Sequence, residues 1–199
     1  IDTAIAEGTF ASHLGLSELI TQLRERDGTL HITGLISDGG VHSHLRHFIA
    51  IMEQLPKDLP VRIHCFTDGR DTSPTGGASY LAEVAALASR SEEWRIASVI
   101  GRYWAMDRDH RWDRIKKAYN LIARGESDEW ADDPGFLEES YASKVTDEFV
   151  PPTGIRGAGE AGIKSEDAVI MINFRADRMR QLVSALGVPG FDGFEREAE

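Results

Sequence analysis

The stretch Thr67-Asp68-Gly69-Arg70-Asp71-Thr72-Ser73-Pro74 sets a fixed guanidinium beside a titratable carboxylate. Arg70 can fork onto a carboxylate or phosphate, and Asp71 can take and return a hydroxyl proton. Alone, that pair is equally a loop salt bridge. Three further stretches change its meaning. His42 lies in Ser37-Asp38-Gly39-Gly40-Val41-His42-Ser43-His44, Arg102 and Arg108 lie between Gly101 and Asp109, and Arg175 and Arg178 follow Phe174. Arg175 and Arg178 stand three apart at a helix start, so both can face one way. They suit one phosphate, helped by the helix N-terminus. Arg70, Arg102 and Arg108 would serve a second anion such as a carboxylate. His42 could hydrogen-bond the same ligand or substitute for Asp71.

These residues need a scaffold that brings them together. Leu30 to Ile36, Val61 to Phe66, Trp94 to Ile100 and Asp167 to Phe174 are apolar runs of strand length. Helical periodicity follows each: Ser43 to Leu55 with Ser43 as cap, Gly76 to Arg90, Trp112 to Ala123, and Arg175 to about Leu186. A helix over Leu16 to Arg26, with Ser17 as a possible cap, and a short one at Ala4 to Glu7 come before them. Strand, loop, helix, repeated four times, predicts an α/β fold. Its form is a three-layer α/β/α sandwich with a mostly parallel central sheet. In such a sheet the loops after the strands converge on one edge, where ligands bind. Gly69 permits a tight turn there, and Gly39 with Gly40 lets backbone N–H groups approach a ligand. Phe136 to Ser143 is a possible helix and Val145 to Val150 a strand or loop. Thr153 to Gly162, with four glycines, reads as flexible loop.

Composition narrows the function classes. The 199 residues carry a net charge of −11, which argues against general nucleic-acid or anionic-membrane binding. No apolar run is long enough to span a membrane. The N-terminus has no signal-like segment and looks like the middle of a longer chain. Cys65 is alone, so it has no internal disulfide partner, and its apolar neighbours put it in the core. Of the 22 cations 17 are arginine. A GC-rich genome could produce that bias, and position separates this from function better than number does.

Other residues have ordinary readings. Arg111 and Arg114 are expected on the surface, with Asp107 and Asp109 paired to neighbouring arginines. Tyr103, Trp104 and Trp112 are packing residues. His47 and His110 are surface or supporting groups, and His31 and His64 core or edge residues. A rival reading takes His42, His44 and Asp38 as ligands of a hydrolytic metal. The other strand ends, however, carry arginines, which repel a divalent cation. A pure anion-binding module is a third reading, which leaves Asp71 beside Arg70 without a purpose.

Four motifs, in order and spacing, resemble the cofactor-independent phosphoglycerate mutase family. They are Ser37 to His44, Asp68 to Thr72, Gly101-Arg102-Tyr103 with Ala105 to Asp109 and Arg111-Trp112, and Asn173 to Arg178. The resemblance runs from about Ile5 to Arg180 and is loosest from Glu126 to Gly162. It implies that residues 1–199 form one phosphotransferase, substrate-binding domain. It also implies a longer two-domain enzyme whose phosphatase-like domain, with two manganese ions and a nucleophilic serine, is absent here. That enzyme interconverts 3-phosphoglycerate and 2-phosphoglycerate in glycolysis and gluconeogenesis through a phosphoserine. By this resemblance His42, Arg70, Asp71, Arg102, Arg108, Arg175 and Arg178 hold substrate, and Asp71 carries the proton. The family's active-centre lysine lies beyond the end of this chain. No metal is expected here, and the fragment alone would be inactive. The implied whole enzyme is a cytoplasmic monomer whose partners are 2-/3-phosphoglycerate and its own second domain, with no nucleic acid or membrane.

Overall fold

A computed structural model of the chain describes residues 1–158 and 162–196. Four neighbouring parallel strands form its centre: β1 (Leu30–Leu35), β2 (Val61–Thr67), β3 (Trp94–Gly101) and, beyond two short strands, β6 (Ala168–Met171). The short strands are β4 (Glu129–Ala131) and β5 (Thr153–Ile155), and the sheet order is β4-β5-β3-β2-β1-β6. Leu30 stands beside Val61 on one side and Ala168 on the other. Only β5 runs antiparallel to its neighbour β3.

Side chains alternate across the sheet, so each strand feeds two cores. Leu30, Ile32, Val61, Ile63 and Cys65 pack with α3 (Leu16–Arg26), α4 (Leu45–Met52) and α5 (Gly77–Ala88). Leu35, Phe66 and Ile100 pack with α7 (Trp112–Arg124) and α9 (Arg180–Gly187). Phe48 and Leu182 are wholly buried, and each such side chain stabilises the fold by about 1.5–3 kcal/mol. These two cores make the three layers expected from the sequence. The remaining helices are short: α1 (Asp2–Ala6), α2 (Phe10–His13), α6 (Arg102–Ala105) and α8 (Leu137–Ala142).

Several local expectations need correction. Ser43 does not cap α4. Its hydroxyl donates to the Ile172 carbonyl, and His44 caps instead, its Nδ1 accepting the Arg46 N–H at 3.2 Å. Ser17 lies inside α3, whose cap is the left-handed Gly15. The fourth apolar run pairs only over Ala168–Met171. Beyond it, the Asn173 side chain rather than a strand carbonyl takes the Leu35 N–H. Val145 to Val150 is neither strand nor plain loop, since Asp147–Phe149 makes one 3-10 turn. Thr153–Ile155 is a strand where a flexible loop was expected. A Cβ on Gly154 would meet the Trp130 ring, so that glycine serves close packing rather than flexibility. Residues 159–161 of the same stretch lie outside the described residues. His47 is buried, with Nε2 at 2.7 Å from Asp2.

The second face changes character toward the starts of the strands. There it carries His31, His64 and Ser98, all buried and linked into a chain. His64 Nδ1 lies 2.8 Å from the Ser98 hydroxyl, His64 Nε2 3.0 Å from His31 Nδ1, and His31 Nε2 3.2 Å from Asp167. With both rings neutral every link has one donor and one acceptor, running from Ser98 to the Asp167 carboxylate. Asp167 also accepts the Thr29 and Lys164 N–H groups.

Burial pushes both imidazoles below the ordinary histidine value, His64 strongly. Asp167 partly offsets the shift at His31. The unfolded chain therefore binds more protons than the folded one below about pH 6.5, and the stability held by neutral rings is lost as pH falls from there. Thermal melts between pH 7 and pH 5 should show a falling midpoint. The double variant His31→Gln/His64→Gln should show a lower plateau and a shallower fall; an unchanged slope would dissociate this chain from the acid response.

Candidate active site

The loops that follow β3, β2, β1 and β6 lie side by side, in that order, at the C-terminal edge of the sheet. Hydrogen bonds lock them together. Ser43 reaches the Ile172 carbonyl, and the Arg175 N–H points to the His42 carbonyl. The edge therefore brings together the seven residues singled out from the sequence.

Arg102 is the most enclosed of them. Its Nη1 donates to Asp68 Oδ1 and Asp71 Oδ2, both at 2.6 Å, and Arg102 and Asp68 are each about 2% exposed. Burial alone would lower the guanidinium's pKa, but the bonds to Asp71 and Asp68 outweigh it and raise it. Asp68 also accepts the Ser37 hydroxyl and the N–H groups of Arg70 and Asp71. Burial opposes its charge, but these donors and Arg102 hold its carboxyl below the usual range. Asp68 stands in the motif with no role legible from sequence. The turn it braces is possible because Gly69 takes φ 66°.

Asp71 lies between Arg102 and His42, whose Nε2 is 3.7 Å away. His42 is buried and its Nδ1 makes no hydrogen bond. Burial, then Arg102, Arg178 and Arg175, lower its pKa against the pull of Asp71, so it is neutral at pH 7.

The outer arginines differ among themselves. Arg108 Nη1 reaches Asp177 at 2.9 Å, and Arg175 Nε lies 3.0 Å from the same carboxylate. Arg70 is half exposed, with Glu148 at 3.6 Å. Arg178 donates to the Met106 carbonyl at 3.1 Å, while its Nε is buried without a partner. Among the described residues no carboxylate pairs with it. Burial, followed by repulsion from Arg102, Arg108 and Arg70, lowers its pKa. Arg175 caps and Arg178 ends one 3-10 turn, Ala176–Arg178, where an α-helix was expected to open, and α9 begins only at Arg180. Residues three apart eclipse in that geometry, which keeps both near one face.

Asp107 accepts from Arg111 and from the N–H groups of Asp109 and Arg111, bracing the loop after β3. Arg114 stacks over Tyr103 at 3.7 Å and is less exposed than a surface position implies. Tyr103 and Trp104 pack edge to face, as do Trp112 and Phe191. His44 serves the start of α4 while His42 faces Asp71 and Asp177, so the two rings of the supposed metal pair have different neighbours. Among the described residues no group of three or more His, Cys, Asp or Glu side chains is placed to hold a metal.

A buttress from the loosely matching region went unnoticed in the sequence. The Asp147–Phe149 turn packs directly on the site loops. A Cβ on Gly69 or Gly101 would meet its backbone or the Asp147 Cβ within 2.8 Å. Asp147 accepts the Gly77 N–H at 2.7 Å and the Tyr141 hydroxyl, and Tyr141 accepts the Ala78 N–H. Together they satisfy the first N–H groups of α5 from a distance. Burial raises the Asp147 carboxyl's pKa in spite of these donors. Gly101→Ala should push the turn away from Arg102 and destabilise the chain by about 1–3 kcal/mol. Urea unfolding measures this, and a stability equal to wild type would show that the contact yields.

The whole of residues 1–199 matches the family model described as the BPG-independent PGAM N-terminus. A 2,3-bisphosphoglycerate-independent phosphoglycerate mutase of Synechocystis sp. is 45% identical over 199 residues, covering 99% of this chain and 37% of the relative. One from Paracoccus denitrificans is 42% identical over 196 residues, covering 98% of this chain and 38% of the relative. Among solved structures, a phosphoglycerate mutase of Leishmania mexicana, crystallised at low cobalt concentration, superimposes with a TM-score of 0.86 at 30% identity. That match covers 97% of this chain and 38% of the other. The chain thus spans well under half the length of the relatives it matches.

Proposed function

The chain belongs to the BPG-independent phosphoglycerate mutase N-terminal family, and from that membership we propose that it is the substrate-holding half of a phosphoglycerate mutase. The observation that carries the reading is Arg178, a half-buried cation with no carboxylate partner among the described residues, set beside Arg102 and Arg108. A half-buried guanidinium with no carboxylate in contact is costly, and a bound anion relieves that cost. Arg175 and Arg178 take the phosphate, while Arg70 and Arg108 take the glycerate carboxylate. Arg102 is already committed to Asp68 and Asp71, so it orients Asp71 and offers the ligand only its other N–H groups. Asp71 exchanges a proton with the two substrate hydroxyls in turn, and neutral His42 hydrogen-bonds the ligand.

In the whole enzyme the phosphoryl group passes to a serine outside this chain and returns to the other hydroxyl. Positioning and charge neutralisation dominate such a transfer. The two manganese ions of the resemblance are assigned to that second domain, because the carboxylates described at this edge are paired with arginines and do not fit a metal site. No helix among the described residues is long and apolar enough to cross a membrane. A cytoplasmic monomer is the setting we propose for the whole protein.

Two measurements test the reading. Calorimetric titration of the chain with 3-phosphoglycerate in EDTA should give saturable binding. Arg178→Ala should weaken it roughly 10-fold to 100-fold, the worth of a charged hydrogen bond; equal affinities would remove Arg178 from the site. In the full-length enzyme, Asp71→Asn should lower turnover by about 10²–10⁴-fold with a much smaller change in substrate affinity. Turnover that survives the substitution would show that another group carries the proton.

A further inference from the structure

Five arginines meet four carboxylates at this edge: Asp68, Asp71, Glu148 and Asp177. Asp68 braces a turn with backbone bonds, Asp71 is the proton carrier, and Glu148 sits on the buttressing turn opposite Arg70. Asp177 fits none of these roles. Among the described residues its hydrogen-bond donors are the Arg108 and Arg175 side chains, with no backbone N–H. Its Oδ1 is buried and forms an ion pair with Arg175 Nε at 3.0 Å but no aligned hydrogen bond, and it faces the unpartnered His42 Nδ1 across 3.9 Å. A carboxylate used as scaffold is normally fixed by aligned donors from the backbone, whereas the partners of this one are half-exposed arginine side chains. It lies within reach of the arginines that would hold a ligand phosphate.

We propose that Asp177 is a built-in counter-ion that an incoming phosphate displaces. In the empty site it neutralises Arg108 and Arg175 and keeps their long side chains ordered. When a phosphate arrives, Arg175 exchanges one anion for another, and on release it returns to Asp177. Anion binding is then an exchange rather than a simple gain. The site binds less tightly than five free arginines would and lets its ligand go faster. Such weakening suits a domain whose ligand must let go and reorient between two phosphoryl transfers. Asp177 already holds its proton less tightly than an ordinary carboxyl: burial works against its charge, and Arg108 and Arg175 more than compensate. This inference rests on the phosphate-binding reading above.

The test uses inorganic phosphate as probe, titrated into the chain at low ionic strength and pH 7.5, with affinity and off-rate read from NMR line shapes. Asp177→Asn should bind phosphate roughly tenfold more tightly, the effect of removing one nearby like charge. It should release phosphate more slowly and depend more steeply on salt, while Asp177→Glu returns toward wild type. If Asp177 merely orients the arginines, Asp177→Asn binds equally or more weakly, and the proposal is overturned. A readout in the unaltered chain guards against a folding defect. The Asp177 carboxyl carbon, followed against pH, should titrate at higher pH with saturating phosphate than without it, because Arg175 has left it. An unmoved midpoint overturns the exchange. Arg178→Ala separates the two readings. Wild-type binding that is lost in Arg178→Ala but not tightened in Asp177→Asn defeats this inference alone. No binding in wild type, Asp177→Asn or Arg178→Ala defeats the phosphate site and this inference together.

Discussion

Arg102 enters the edge of the sheet almost fully buried, with one guanidinium nitrogen shared between Asp68 and Asp71. Removing one member of such a cluster leaves an uncompensated charge out of water, at a cost on the order of 3–5 kcal/mol. The rest of the site follows from this constraint. Asp68 must be charged, so the loop after β2 folds its own N–H groups of Arg70 and Asp71 onto it. The loop after β1 contributes the Ser37 hydroxyl. Asp71 is then held by Arg102 on one side and looks toward His42 on the other. Three strands thereby place one carboxylate, and its position does not depend on the mobility of a single loop. An acid in the proposed proton-carrying role needs that fixity.

A second layer keeps the first in place. The Asp147–Phe149 turn presses on Gly69 and Gly101, glycines that immediately precede the key arginines of two loops. The same turn carries Glu148 toward Arg70, and through Asp147 and Tyr141 it supplies acceptors to the start of α5. The antiparallel corner of the sheet, β4 with β5, anchors this segment against β3. The region least like a regular doubly wound fold is therefore the one that fixes the outer wall of the site. Its acceptors also replace the capping side chain that α5 lacks, since its own cap is Gly76.

The sequence made the frame legible because periodicity is a local property. Leu16, Leu19, Ile20 and Leu23 mark the buried face of α3 by their three-to-four spacing, and four apolar runs followed by helices sufficed to converge the loops. The converging arginines were legible for the same reason. What was hidden depends on partners far apart in the chain. Asp68 finds Arg102 34 residues away, and Asp177 finds Arg108 69 residues away. No spacing rule links them, so neither acid's partner is legible from the sequence. Thr153–Ile155 was misread because a glycine-rich run signals flexibility, whereas Gly154 is required by the Trp130 ring. His47 was misread because its partner, Asp2, comes from a helix too short to anticipate contacts for.

The chain as a whole carries a net charge of −11, which raises the question of how it could attract an anion at all. At physiological salt, fields fade over about 8 Å, so the distant acids matter little to a ligand already at the edge. What the ligand meets is the local balance, five arginines against four carboxylates, with His42 neutral. That balance is only slightly positive. Affinity in the proposed site then comes from geometry at contact distance, at Arg178, which has no carboxylate partner among the described residues. Long-range steering contributes little to such a site. An arginine cluster that had no internal acids would bind any anion tightly and release it slowly. Interleaving acids with arginines confines the attraction to ligands whose charges match the pattern, and keeps the edge stable when it is empty.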